Sequence, residues 1–131
     1  MRPWRLTPPR ATENDIEAGC LGLLRLRGYW PIRLHAGRFK TADNKRWITG
    51  VDKGTPDWAA VHRRFPAFLL EVKRPGELLQ THQLEKIREI QSGYGLAIVV
   101  TDDPHELLKW LDAHENRFRT SPEIPKRTYE K

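Results

Sequence analysis

One cysteine, Cys20, stands in 131 residues. No intramolecular disulfide can form, so packing alone must hold the core, and a reducing compartment suits the chain. No apolar run approaches the roughly 20 residues that span a bilayer. The basic stretch from Met1 to Arg10 lacks the apolar segment of a signal peptide. A soluble intracellular protein is the expectation. Zinc-ligand spacing is missing: His35, His62, His82, His105 and His114 form no His-x-x-x-His pair, and Cys20 has no partner cysteine. Gly93-Tyr94-Gly95 lacks the lysine and helix of a phosphate-binding loop, and no serine elbow occurs. Internal repeats are absent too.

What the chain has in excess is positive charge. Lys and Arg total 23 against 17 Asp and Glu, a formal net charge of +6. That balance favours a polyanionic partner, nucleic acid being the commonest, although a basic surface can also serve only solubility. The length suits one domain, which at this size buries roughly two thirds of the surface its unfolded chain exposes.

Residues 1–11 carry three prolines and read as an irregular arm. Thr12 and Asp15 make an approximate capping box for a helix over 13–27, with Ile16, Cys20, Leu23, Leu24 and Leu26 on its buried side and Gly28 at its end. A first strand over 29–35 contains Pro31, which suits a sheet edge. Residues 36–53 hold Arg38, Lys40, Lys45, Arg46 and Lys53 among Phe39 and Trp47. They read as a long hairpin connection or a loop. Strands over 56–61 and 68–73 follow, then a helix over 82–92 capped by Thr81, with Leu84, Ile87 and Ile90 inward and Gly93 at its end. The apolar run over 96–101 suits a central strand covered on both faces. Asp103-Pro104 opens a last helix striped by Leu107, Leu108 and Leu111. Trp30 and Trp58 read as core. The domain is expected over 12–116 and a polar tail over 117–131. A parallel crossover between the strands at 68–73 and 96–101 gives a small α/β sandwich with the former strand near its centre.

The chemistry concentrates in Pro56-Asp57 and Glu71-Val72-Lys73. Alternate residues of a strand share a face, so Glu71 and Lys73 project together while Val72 packs behind. Two carboxylates can hold a hard divalent cation, and an ammonium beside them can position a water for attack. A plainer reading makes Asp57 a strand-entry residue and Glu71–Lys73 a surface pair worth less than about 1 kcal/mol. A strand buried at the centre of a sheet disfavours that second reading.

Gly54-Thr55-Pro56-Asp57, then Glu71-Val72-Lys73, then Gln83 early in a helix, resembles the PD-(D/E)XK nuclease superfamily. More narrowly it resembles the virus-type replication-repair nuclease (VRR-NUC) domain, over residues 14–101. The Ser-Pro pair that often precedes the family's glutamine is Thr81-His82 here, with Thr81 keeping the capping chemistry. The resemblance implies a restriction-endonuclease-like α-β-β-β-α-β-α sandwich with a mixed central sheet. It implies Mg²⁺ or Mn²⁺ held by Asp57, Glu71 and the Val72 carbonyl, with Glu17 completing the site from the first helix. Lys73 would orient the attacking water, and Gln83 would hold Lys73 or a phosphate. Arg33, His35 and Gly37 resemble the basic and glycine positions after the family's first strand. The implied activity is an endodeoxyribonuclease in replication, recombination or repair, cutting Holliday junctions or other branched DNA. A homodimer would act on both strands, in the cytoplasm of a bacterium or a phage-infected host cell. A DNA-binding module that keeps the fold without cutting is the alternative.

Phosphate contacts are expected from Arg33, His35, Arg38, Lys40, Lys45, Arg46, Lys53 and Arg74, extended by Arg5, Arg10, Arg117 and Arg119. Trp47 or Phe39 either stacks on an unpaired base or anchors the loop. Nothing resembles a base-reading helix, so cleavage is expected to follow DNA structure rather than sequence.

Overall fold

The computed structural model describes residues 12–119. The expected N-terminal arm with Arg5 and Arg10, and residues 120–131 of the expected tail, lie outside them. The elements run α1 (Glu13–Leu26), β1 (Trp30–Arg33), β2 (Arg38–Lys40), β3 (Trp47–Thr49), β4 (Trp58–Val61), β5 (Phe68–Val72), α2 (Thr81–Tyr94), β6 (Ala97–Thr101) and α3 (Pro104–Arg119).

Both halves of the α1 capping box form. The Thr12 hydroxyl accepts from the Asp15 N–H at 3.1 Å, and the Asp15 carboxylate accepts from the Thr12 N–H at 3.1 Å. Ile16, Cys20 and Leu24, four apart, are buried. Leu26 is 87% exposed, against expectation. Two residues past Leu24 is about 200° around the helix, so the burial stripe cannot include both.

Four strands make a mixed sheet in the order β1-β4-β5-β6. β1–β4 and β4–β5 are antiparallel, and β5–β6 is parallel. β5 lies between two partners with all five residues buried. β1, with Pro31, is an edge strand, as a proline without an N–H requires. Ala60, Phe68, Leu70 and Val72 join Ile16, Cys20 and Leu24 of α1 and Leu107 and Leu111 of α3 in the core. These strand residues alternate with Glu71, so α1 and α3 cover one face and Glu71 belongs to the other.

Several expectations are corrected here. The apolar run at 96–101 forms an edge strand, not a central one. Its composition reflects its contacts with both α2 and α3 rather than two flanking strands. The cap of α2 is Gln80, not Thr81, and the helix passes through Gly93 to end at Gly95, whose φ of +63° permits the left-handed turn. Within α2, Ile87 is buried while Leu84 is 37% exposed. Trp30 is 67% exposed rather than core, because Tyr29 takes the inward position beside it. α3 begins at Pro104 as expected and continues to Arg119, three residues into the segment read as tail.

Residues 36–53 contain an antiparallel hairpin, β2–β3, in a separate two-stranded sheet. Asn44 turns it with φ of +63°, and the Asp43 carboxylate accepts from the Lys45 N–H at 3.1 Å. Among the described residues no helix of the chain is long and apolar enough to cross a membrane.

Candidate functional site

Asp57 stands just before β4, and its carbonyl accepts from the Leu34 N–H at 2.7 Å, which ties it to the end of β1. Pro56 before it is fully buried. Gly54 presses this segment onto the start of α2: it has φ of +88°, and a Cβ there would lie 2.5 Å from the His82 carbonyl oxygen. Any side chain would force the loop off the helix. Glu71 comes from β5, and Lys73 from the residue after it. The Lys73 N–H donates to the Thr101 carbonyl at 2.9 Å, so pairing with β6 extends to the lysine. Gln83 descends from the first turn of α2.

These four residues meet. The backbone N–H of Asp57 donates to Glu71 Oε2 at 3.1 Å. Gln83 Nε2 donates to Glu71 Oε1 at 3.1 Å, while Gln83 Oε1 accepts from Lys73 Nζ at 2.9 Å and from the Gln80 N–H at 2.9 Å. One amide thus bridges the carboxylate and the ammonium, its orientation set by their opposite hydrogen-bonding characters. Lys73 Nζ lies 3.5 Å from Glu71 Oε1 and 3.5 Å from Glu77 Oε1. Glu71 is 4% exposed and Lys73 7%.

Burial pushes the Glu71 carboxyl up to about 7, the Asp57 charge adds to the rise, and Lys73 only partly offsets it. Asp57 is raised as well, first by burial; Arg33 opposes the rise, and Glu17 and Glu13 add to it. The site therefore holds two carboxyls whose ionised forms are only partly compensated. Oxygen donors in that condition suit a hard divalent cation, which reverses the local preference for the neutral acid. Among the described residues no group of three His, Cys, Asp or Glu side chains gathers as a ligand cluster.

Glu17 lies toward Asp57 but is already engaged: its Oε1 accepts from Arg33 Nη1 at 2.9 Å and from the Trp58 indole N–H. Arg33 also stacks over Trp58, 5.3 Å from the ring. Arg33 is thus a structural partner of α1 as well as a basic residue near the site. Arg74 pairs with Glu77 at 3.1 Å. Arg38 and Lys40 sit over the Trp47 ring at 5.1 and 5.2 Å. With Lys45, Arg46 and a 57%-exposed Trp47 they make the hairpin a cationic, aromatic arm. Lys53 is exposed in the segment leading to Gly54, and the His35 carbonyl accepts from the Val51 N–H at 2.8 Å.

Sequence reasoning missed Glu77, which shares Lys73, and the tie from Glu17 to Trp58. Glu77 had one available signal, its position four residues after Lys73, but no helix there to give that spacing meaning. Comparison of the chain with known protein families finds no matching family model, and comparison with curated proteins finds no match.

Proposed function

We propose that this protein is a Mg²⁺- or Mn²⁺-dependent DNA endonuclease with a restriction-endonuclease-like sandwich, similar to VRR-NUC nucleases and acting on branched DNA as a homodimer. The observation that carries this reading is the buried contact of Glu71 with Asp57, Gln83 and Lys73 at one end of β5. Asp57, Glu71 and the Val72 carbonyl would hold the cation, which when bound supplies Lewis-acid stabilisation of charge on the phosphate. Gln83 holds Lys73 Nζ beside Glu71, where the ammonium orients a water by hydrogen bonding and offsets charge building on the phosphate oxygens. Burial keeps bulk water from screening these charges. The hairpin arm supplies phosphate contacts without sequence preference.

A second reading is a DNA-binding module that does not cut. It draws on Glu17, which Arg33 and the Trp58 indole occupy. The deciding experiment incubates purified protein with labelled Holliday junctions, flaps, splayed arms and linear duplexes, in Mg²⁺, Mn²⁺, Ca²⁺ or EDTA. Cleavage of branched DNA with Mg²⁺ or Mn²⁺ and none with EDTA is expected. Salt-sensitive binding with no product in any metal supports the second reading, and neither binding nor cleavage rejects both.

A further inference from the structure

A groove of about 630 Å³ lies at the end of β1 and β4 remote from Asp57, lined by Arg25, Trp30, Pro31, Val61, His62 and Arg63 among others. Its floor is fixed. The His62 ring bonds the Arg27 carbonyl at 3.0 Å, packs against Tyr29 with centroids 4.6 Å apart, and packs on Phe65 at 4.7 Å. Gly28, at φ of +86°, allows that approach, since a Cβ there would meet His62 Nε2 at 3.0 Å. The rim carries a large aromatic surface and two cations. Trp30 is 67% exposed, and Arg25 and Arg63 are exposed with no ion pair to any described residue.

Strand register ties this groove to the candidate site. Trp30 pairs with Val61, which is 37% exposed, so the two lie side by side on one face. By strand alternation that is the face of Ala59 and Glu71, opposite the one covered by α1 and α3. α2 packs on β6, at the far side of the sheet, and leaves Trp30 and Val61 in solvent. From Asp57 to Val61 is four strand steps, roughly 13 Å. Asp57, Ala59 and Val61 thus alternate along one sheet face from the buried site to the exposed indole, and Arg25 and Arg63 line the same groove.

We infer that this groove binds single-stranded DNA: an unpaired base stacks on the Trp30 indole while Arg25 and Arg63 take the flanking phosphates. An exposed aromatic platform with cations beside it is the combination that recognises unpaired strands, since a duplex keeps its base faces covered. The site would retain the displaced or unpaired arm of a branched substrate at the end of the sheet away from the cut. The choice of DNA rests on the proposed nuclease reading; the groove itself does not depend on cleavage.

The test measures anisotropy of labelled oligothymidylate, oligouridylate and blunt duplex in EDTA, where no cleavage intervenes. Trp30→Ala is expected to weaken oligothymidylate binding about 5- to 100-fold, with Trp30→Phe restoring most of it and duplex affinity little changed. The double variant Arg25→Ala/Arg63→Ala should reduce the slope of log affinity against log salt by about 1.4 for the single strand. Because these side chains are exposed, thermal melting should match wild type. Wild-type oligothymidylate binding by Trp30→Ala, an equal loss on duplex, or preference for oligouridylate would each overturn the inference. Trp30-dependent binding without any cleavage leaves it standing and sinks the nuclease reading alone; cleavage with no Trp30 effect does the reverse.

Discussion

Two buried glutamates, Glu71 and Glu115, sit in opposite electrostatic conditions. Glu115 is 3% exposed and accepts from the Arg27 guanidinium, which also holds Asp112 at 3.0 Å. Burial alone would lower the Arg27 pKa, but its hydrogen bonds to Glu115 and Asp112 outweigh that and raise it. Next to it His114 bonds the Pro66 carbonyl at 3.0 Å and stacks on Trp110 with centroids 4.6 Å apart. Each charge there meets an opposite charge in direct contact, and the cluster staples α3 to α1. Glu71 is 4% exposed, yet Lys73, its one ion-pair partner among the described residues, stands 3.5 Å away, shared with Glu77 and Gln83, and Asp57 adds a second negative charge. Burial of a carboxylate does not by itself mark a site; incomplete compensation does. Glu115 is finished by the fold, whereas Glu71 and Asp57 are left wanting positive charge.

The largest effect that would break this contrast is expected at Lys73. Lys73→Ala should reduce cleavage of branched DNA about 100-fold or more while leaving DNA affinity nearly intact, read by single-turnover kinetics beside anisotropy. Wild-type turnover would remove the lysine from the chemistry. The second effect is structural. Arg27→Ala leaves Glu115 buried without its partner and should cost about 3 kcal/mol in a urea melt, with cleavage unchanged. A loss in cleavage without a loss in stability would mean that Glu115 and Glu71 do not differ in compensation.

The third expectation concerns pH. Glu71 in the metal-free fold titrates near 7 rather than at its ordinary 4.5, so the folded state binds the proton more tightly than the unfolded chain does. That stabilisation is full below 4.5 and is lost as pH rises through about 7. It amounts to roughly 3 kcal/mol at about 1.4 kcal/mol per pKa unit. Melting temperature in EDTA should fall across that window, and Glu71→Gln should flatten the fall. Added Mg²⁺ should raise the melting temperature of wild type above pH 7 but not that of Asp57→Asn. The smallest effect belongs to the exposed hairpin. Lys45→Ala or Arg46→Ala should each lower the salt slope of duplex binding by about 0.9 with a modest loss of affinity. An unchanged slope would detach the arm from DNA.

Much of the framework is legible along the chain because it rests on local rules. Thr12 with Asp15, Gly28 after α1, Pro31 at an edge and Pro104 at a helix start are each a short-range constraint, and each appears where expected. The readings that fail depend on what stands across the sheet. Trp30 is large and apolar, yet nothing in its immediate neighbours says that no helix covers it. The apolar strand at Ala97–Thr101 shows the converse: helix contacts on a sheet edge leave the same composition as two neighbouring strands would. Thr81 is a better capping residue than Gln80, but Gln83 needs the Gln80 N–H for one lone pair while it serves Lys73 with its oxygen. The site outranks the cap preference.

For the candidate site, the residues Asp57, Glu71, Lys73 and Gln83 can be picked out by type and order, since a strand puts Glu71 and Lys73 on one face whatever surrounds it. Their electrostatic state cannot. The rise of the Glu71 carboxyl comes from burial and from Asp57, fourteen residues away along the chain and joined to it only by the pairing of β4 with β5. Local sequence determined which groups could act and which way each strand would turn them. Tertiary packing decided which charges were compensated, because desolvation and Coulomb energy depend on neighbours in space and not on neighbours in the chain.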